Sequence, residues 1–339
     1  MPAAPRLSVI VPARNAASTL PRCLEAVTAQ SEDDVEIVLV DDHSADDTRT
    51  VAARYPVRVI EMAEHSGVSA ARNRGADVAR GEVLLFLDAD VVLAPDGVQR
   101  VRATMSDPSV GALIGSYDES PDDQSLVSRF KNLAHHYFHQ HSSREATTFW
   151  GACGAIRREV FLAAGGFNEK RYQLPSIEDV ELGSRLVDRG VRIVLDPALQ
   201  VKHLKRWTLV SLIVTDVMRR AIPWTLLWLE RGRAQTDLNF SGAQRVAAMV
   251  SVAMVTAVML ALLHPALWLV VAALAAAALA INRRLFALLL NRGGIRLTLA
   301  GFFLQQLYYL YSLFGLAVGI AIFFLRPRSR HREQPAKQI

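Results

Sequence analysis

The sequence predicts an α/β protein: a Rossmann-like, mostly parallel sheet with flanking helices, followed by a C-terminal transmembrane helical region. Three observations predict it. In the N-terminal part, short β-branched runs alternate with segments of helical spacing, the pattern of a parallel sheet covered on both faces. Acidic residues gather where those runs end, which is where such sheets bind ligands. Finally, neither 246–281 nor 297–325 contains an Asp, Glu, Lys or Arg.

Leu7–Val11 reads as a buried strand stopped by Pro12, and Ala17–Ala29 as a helix with Leu20, Leu24 and Val27 on one face. Val35–Val40 is a second strand, ending at Asp41 and Asp42; Ser44 and Asp46 offer caps for a helix to about Arg54. Val57–Ile60 is a third strand, Ser66–Ala79 a helix, and Val83–Leu87 a fourth strand that ends at Asp88-Ala-Asp90. Glu178 and Asp179 open a helix, Val180–Arg189, whose dipole favours carboxylates at its start by about 0.3–1 kcal/mol.

The chain has 339 residues, 51% hydrophobic and 21% charged, with a mean hydropathy of +0.19. That much apolar surface excludes a disordered chain. The net charge of +5 is spread out, which excludes nucleic acid as the expected partner. Cys23 and Cys153 are far apart and form no CxxC, so neither a disulfide framework nor a cysteine zinc site is expected.

A bilayer core takes about 20 helical residues. The first uncharged run therefore divides into two spans, 246–263 and 265–281, turning at His264-Pro265, and the second gives one tilted span, 297–325. Arg231, Arg233 and Arg245 precede the first run; Arg283, Arg284, Arg292 and Arg296 lie between the two, and both clusters read as cytoplasmic. The basic tail, 327–339, conflicts with that rule. Three spans with a basic outer tail, or a re-entrant last hairpin, both accommodate it; three spans are preferred. Met1–Arg6 offers no h-region, so a cytoplasmic catalytic domain over 1–207 is expected, in an integral membrane protein. In the junction, 208–242, tryptophans mix with Arg219, Arg220 and Arg231, which suits either a helix in the headgroup layer or one docked on the soluble domain.

Asp88 and Asp90, two apart on an extended segment, point the same way and make a hard-oxygen site for Mg²⁺ or Mn²⁺. Asp41 or Asp42 can accept from a nucleobase N–H or a ribose hydroxyl. Arg72 and Asn73 can face a diphosphate or base. His135, His136, His139 and His141 cluster without a carboxylate partner and read as structural or surface residues.

Ser8-Val-Ile-Val-Pro-Ala-Arg-Asn15, Val40-Asp-Asp-His-Ser-Ala-Asp-Asp-Thr48, Gly67-Val-Ser-Ala-Ala-Arg-Asn-Arg-Gly75 and Leu87-Asp-Ala-Asp90 resemble the ordered motifs of family 2 glycosyltransferases. These are inverting enzymes of GT-A fold. Gly151-Ala-Cys-Gly154, Gly165-Gly-Phe-Asn-Glu169 and Glu178-Asp179 continue the match, which covers about Leu7 to Trp207. The resemblance implies that Pro12, Ala13, Asn15 and one of Asp41 or Asp42 hold the nucleobase. It places Arg72 near the nucleotide, Asp88 at the ribose, and Asp90 on a metal bridging the diphosphate. Asp179 would be the general base, with Glu178 beside it. His203-Leu-Lys-Arg-Trp207 is similar to the QxxRW motif of processive members, with His203 in place of the glutamine. Arg206 would then neutralise the diphosphate, Trp207 stack on the acceptor sugar, and His203 ligate the metal; an interfacial Arg/Trp pair is the alternative. The departure speaks against processivity. The expected partners are a nucleotide-sugar donor, a lipid, lipid-linked or glycan acceptor, and the membrane. The rivals are a nucleotidyltransferase on a similar sheet and a non-catalytic membrane scaffold.

Overall fold

The computed structural model describes residues 6–232 and 242–326. The basic tail over 327–339, and Arg233 of the junction, lie outside the described residues.

The chain opens as β1 (Leu7–Ala13), α1 (Leu20–Thr28), β2 (Val35–Asp41), α2 (Thr48–Ala52), β3 (Arg58–Glu61), α3 (Val68–Val78) and β4 (Val83–Leu87). There follow β5 (Val91–Leu93), α4 (Gly97–Met105), β6 (Ala112–Tyr117), α5 (Leu126–His141), β7 (Glu145–Ala146), β8 (Cys153–Arg157), α6 (Arg158–Ala163), α7 (Glu178–Asp188) and β9 (Ile193–His203). The sheet runs β3-β2-β1-β4-β8-β6-β9-β5, with β7 added against β9. It is parallel across β3-β2-β1-β4 and at β6/β9; β8, β5 and β7 run antiparallel to their neighbours. The four strands read from the sequence are the first four of this sheet. The remaining five were not read, and α1 starts at Leu20 rather than Ala17.

Strand alternation divides the core. Leu7, Val9 and Val11 of β1 pack with α1 and α4 on one face. Ile10, Leu84 and Phe86 pack on the other with Phe161 of α6 and Leu182 and Leu186 of α7. Phe86 touches the rings of Phe149, Phe161 and Phe167 at centroid distances of 6.2, 5.2 and 5.2 Å. That cluster fixes the 149–167 segment under the site.

After the sheet, α8 (Leu209–Val214) passes through a π-helical turn at Thr215–Ala221 into α9 (Ile222–Arg231). Next come α10 (Gly242–Ala261), α11 (Trp268–Ile281) and α12 (Arg283–Leu325), which kinks at Gly294 (φ 64°). By length and composition α10 and α12 are able to cross a membrane; α11 is a shorter apolar helix. The basic stretch between the uncharged runs is the first limb of α12. Its Leu285, Phe286 and Leu289 pack on Phe130, Leu133 and Phe138 of α5, so burial against the catalytic domain makes it helical.

Candidate active site

Beyond β1 and β2 the chain ties two loops together. Pro12 and Ala13 are buried at the end of β1, paired with Val40 and Asp41. Asn15 takes a left-handed conformation (φ 50°); its Oδ1 accepts the Ala45 N–H at 2.9 Å, and its own N–H goes to Ser44 Oγ. Asp42 is committed to the following loop: Oδ1 accepts the Ser66 N–H at 2.7 Å, and Oδ2 meets His65 Nδ1 at 2.7 Å and the Gly67 N–H at 2.9 Å. Asp41 faces the other way. Its Oδ2 accepts the Ser44 N–H at 3.3 Å, while Oδ1 is buried without a partner. Gly67 has φ 93°, and a Cβ there would lie 2.0 Å from the Gln173 carbonyl oxygen. No other residue type suits that contact.

Arg72 is the hub. It projects from α3, buried, with Nη2 on Asp88 Oδ1 at 2.7 Å and Nη1 on Glu178 Oε1 at 2.9 Å. Its guanidinium also lies 5.2 Å from the Phe167 ring centroid. Gly151 permits this packing, since a Cβ there would stand 2.7 Å from Arg72 Cζ. Glu178 gives its second oxygen to the Ser176 N–H at 2.8 Å. Asp179 sits beside this chain: Oδ2 accepts the Gly151 N–H at 3.0 Å and Oδ1 the Val180 N–H at 2.8 Å. A carboxylate has about four lone-pair sites, so Asp179 keeps capacity for a further proton donor. Burial, together with the Glu178 charge, pushes its carboxyl up to about 6 against the pull of the Gly151 N–H and Arg72.

The β5/β9 ladder sets Val91 opposite His203, which brings Asp90 to His203. Asp90 Oδ2 and His203 Nε2 are 3.6 Å apart, and the imidazole stacks on Tyr117 at 4.5 Å and 11°. Enclosure works against ionised Asp90, but contact with His203 and the charge of Lys205 outweigh it and hold its carboxyl below the usual range. Asp88 is pushed the other way, by enclosure and by the Asp90 charge, despite Arg72. Among the described residues no group of three or more His, Cys, Asp or Glu forms a closed metal cage. One carboxylate oxygen and one imidazole nitrogen converging at this spacing fit an ion that completes its shell with substrate phosphates and water. The nitrogen donor suits Mn²⁺ better than Mg²⁺, which prefers oxygen.

Arg206 is not drawn into this cluster: its side chain is 76% exposed and its nearest carboxylate, on Asp123, is 3.7 Å away. Trp207 is buried, with Lys205 Nζ 4.3 Å from its ring centroid and its backbone N–H on Ser128 Oγ. Sequence reasoning missed two contributors, Lys205 and Tyr117, and read Asn73 as facing a ligand when its amide is committed to Phe167. Lys205 was passed over for its neighbour. Tyr117 ends a strand that was not read. Asn73 clamps the Gly165–Glu169 turn through both backbone groups of Phe167, at 2.9 Å each. Of the histidines, His136 and His139 bind the Tyr117 and Gly115 carbonyls, and the pKa of His135 is driven well down by burial.

Residues 8–163 match the family model for glycosyl transferase family 2. A protein of Mycobacterium tuberculosis (strain CDC 1551) is 30% identical over 221 residues, 60% of this chain and 68% of its own length. A PGL/p-HBAD biosynthesis glycosyltransferase of Mycobacterium bovis is 38% identical over 118 residues, 33% of this chain. The match spans 46% of that relative's length, less than half. Among solved structures, the mannosyltransferase PcManGT of Pyrobaculum calidifontis, in complex with GDP-Man and Mn²⁺, aligns with a TM-score of 0.58 at 19% identity. The alignment covers 93% of this chain and 88% of that one, and shows a shared fold. With the motifs in order on a GT-A-like sheet, the chain belongs to the family 2 glycosyltransferases and is a glycosyltransferase.

Proposed function

We propose that this enzyme is an inverting transferase, moving a sugar from a nucleotide-sugar donor to a lipid or lipid-linked acceptor at the cytoplasmic membrane face. The arrangement that carries the reading is the buried Asp179 carboxylate, held by the Gly151 and Val180 N–H groups one ion-pair relay (Glu178, Arg72, Asp88) from the facing Asp90 and His203, with burial and Glu178 lifting its carboxyl to about 6. A group of that pKa is ionised at neutral pH yet basic enough to take a proton.

In this mechanism the acceptor hydroxyl oxygen attacks the anomeric carbon. The bond from that carbon to the diphosphate breaks, and its electron pair leaves with the nucleoside diphosphate. Asp179 takes the hydroxyl proton. Glu178 holds Arg72, and Arg72 holds Asp88 at the donor ribose. Asp41, with a buried oxygen free of partners, is the better placed of the two acids to meet a nucleobase N–H. The Pro12–Asn15 segment walls that pocket. Asp90 and His203, with Asp88 near, would hold a divalent cation, which would offset charge on the departing diphosphate. Lys205 adds positive charge beside Asp90. Arg206 joins it only by turning away from Asp123, and Trp207 is buried with Lys205 over its ring, so an acceptor sugar stacks there only by displacing that lysine. The complex of PcManGT with GDP-Man and Mn²⁺ supports a nucleotide-sugar donor and a manganese-type ion.

The membrane setting rests on α10–α12 and on the junction, where Leu209, Val210, Val214 and Met218 are exposed close to Arg219. Apolar and basic residues together suit the headgroup layer.

Donor hydrolysis by the purified chain in detergent tests the reading, across UDP-, GDP- and dTDP-sugars with Mg²⁺ or Mn²⁺. Slow, metal-dependent release of one nucleoside diphosphate, lost in Asp90→Ala, is expected. Release of pyrophosphate instead, or no nucleotide binding by calorimetry, overturns it.

A further inference from the structure

The histidine row of α5 takes no part in the transfer chemistry, yet it is spent on one short stretch of backbone. Asn132 Nδ2 donates to the Asp118 carbonyl at 2.8 Å, His136 Nδ1 meets the Tyr117 carbonyl at 2.7 Å, and His139 Nδ1 meets that of Gly115 at 2.9 Å. Spaced four and three apart, these side chains share one helix face. A carbonyl only accepts, so both imidazoles carry a proton on Nδ1. The end of β6 is therefore held from α5 as well as by its ladder with β9.

What it holds in place is Tyr117. The β6/β9 register shifts between Ile114 and Ser116, and Gly115 sits at the shift, where a Cβ would stand 2.4 Å from the Leu199 carbonyl oxygen. Irregularities of this kind re-aim a side chain. Past it, Tyr117 lies opposite Val201, which shares a strand face with His203 two residues on. The Tyr117 ring lies against the imidazole at 4.5 Å and 11°, nearly face to face. His135 and Trp150 close on the same ring at 4.6 and 4.9 Å. Burial and the charges of Asp90 and Asp88 push the phenol well above its usual range, so the ring stays neutral beside those acids. A metal-binding imidazole needs its plane fixed, most often by a hydrogen bond at its second nitrogen. For His203 a ring face does this, and leaves Nε2 aimed at Asp90 Oδ2, 3.6 Å away. Any turn of the imidazole about χ2 costs the stack.

We propose that Tyr117 is the positioning residue of the metal site: its ring, anchored through the α5 histidines, fixes the plane of His203 so that Nε2 and Asp90 would share one divalent cation. The ring face does this, not the hydroxyl. The proposal rests on the metal assignment within the transferase reading above, and gives α5 and the end of β6 a part in it.

The test is Mn²⁺ binding to the full chain in detergent, followed by electron paramagnetic resonance, with UDP and GDP binding measured in EDTA by calorimetry. In the wild type the spin echo of bound Mn²⁺ should carry nitrogen modulation from the imidazole. Tyr117→Leu and Tyr117→Met have no flat face; each should lose the modulation and weaken Mn²⁺ about 10–100-fold. Oxygen ligands remain, so the preference for Mn²⁺ over Mg²⁺ should fall with it. Tyr117→Phe keeps the face; it should keep the modulation and bind Mn²⁺ within about twofold of the wild type. Melting temperatures report folding, and the unbranched Met serves where Leu packs badly. Modulation kept in the Leu and Met variants, or an equal loss in Phe and Leu, overturns the proposal. A fall in metal-free nucleotide affinity as large as the fall for Mn²⁺ shows general loosening and also overturns it. Wild-type Mn²⁺ without nitrogen modulation removes His203 as a ligand, and the proposal with it. A wild-type chain that shows the modulation and its loss on unstacking but binds no nucleotide defeats the transferase reading alone, so the two failures are distinguishable.

Discussion

Asp179 is a carboxylate lifted by burial and by Glu178 to about 6, and the sign of that shift sets the pH behaviour. Below 6 the group is protonated and cannot accept the hydroxyl proton; above 6 it is ionised and can. The kcat/KM should therefore rise about tenfold per pH unit on the acid side and level off above about 6. A profile from pH 5 to 8.5 checks this, and an acid limb near 4 would remove Asp179 as the base. Asp179→Asn should cost transfer about 10²–10⁴-fold while donor binding persists. Gly151 gives a second test at this scale. A Cβ at 2.7 Å from Arg72 Cζ forces the buried guanidinium off Glu178 and Asp88. Gly151→Ala should therefore lower kcat about tenfold or more and stability by about 1–3 kcal/mol. Both are read from turnover and thermal unfolding of the same sample. Wild-type turnover in that variant would mean that the Arg72 bridge is dispensable.

The site depends on elements brought together from opposite ends of the sheet. The Asn73 amide on α3 holds both backbone groups of Phe167, and Phe167 is the floor under Arg72. Asn73→Ala leaves those groups unpaired, at about 1–3 kcal/mol, and should raise hydrogen exchange at Phe167 while that of β1 stays unchanged. Uniform change across the sheet would show global loosening instead. What was legible follows from this layout. The motifs through Asp90 sit on β1, β2, α3 and β4, where each strand is a short apolar run, β2 and β4 ending in acids and β1 running out to Asn15. β8 and β9 were not legible. Cys153–Arg157 is short and enters antiparallel, and Ile193–His203 carries Pro197 and Asp196, so only pairing within the sheet, with β4 and β6 for the one and with β5, β6 and β7 for the other, makes them strands. The choice between Asp41 and Asp42 was left open because adjacent residues leave a strand on opposite sides. Only the 65–67 loop tells which one is already occupied. The same holds for Lys205 and Arg206: spacing names the motif, but β5 pairing decides which cation stands beside Asp90.

At the scale of the whole molecule, catalytic domain and apolar helices meet over the apolar contact between α5 and α12 and, among the described residues, at a buried ion pair in the junction. Lys131 of α5 and Asp216 of the π-helical turn have side chains 16% and 5% exposed, and Tyr311 of α12 closes the group. Removing one partner of a buried pair costs about 3–5 kcal/mol when the other keeps its charge. Lys131 has an alternative, because its ammonium is already brought down to about 8 by burial and neighbouring cations. In Asp216→Ala the attraction that sustains the charge is gone, so the folded-state value drops further and the amine sheds its proton at lower pH. A lysine depressed in the folded state destabilises in full while protonated, and that cost starts to fall as pH rises through its folded value and is gone only at the unfolded one. The variant escapes that cost from a lower pH than the wild type does. The melting-temperature gap between the two should therefore be wide at pH 6 and narrow by about pH 8.5. The same substitution should let protease separate α12 from the catalytic domain at pH 6, since Tyr311 loses its acceptor. A gap independent of pH would mean that Asp216 stabilises the junction through Arg220 and Tyr311 alone, with Lys131 a bystander.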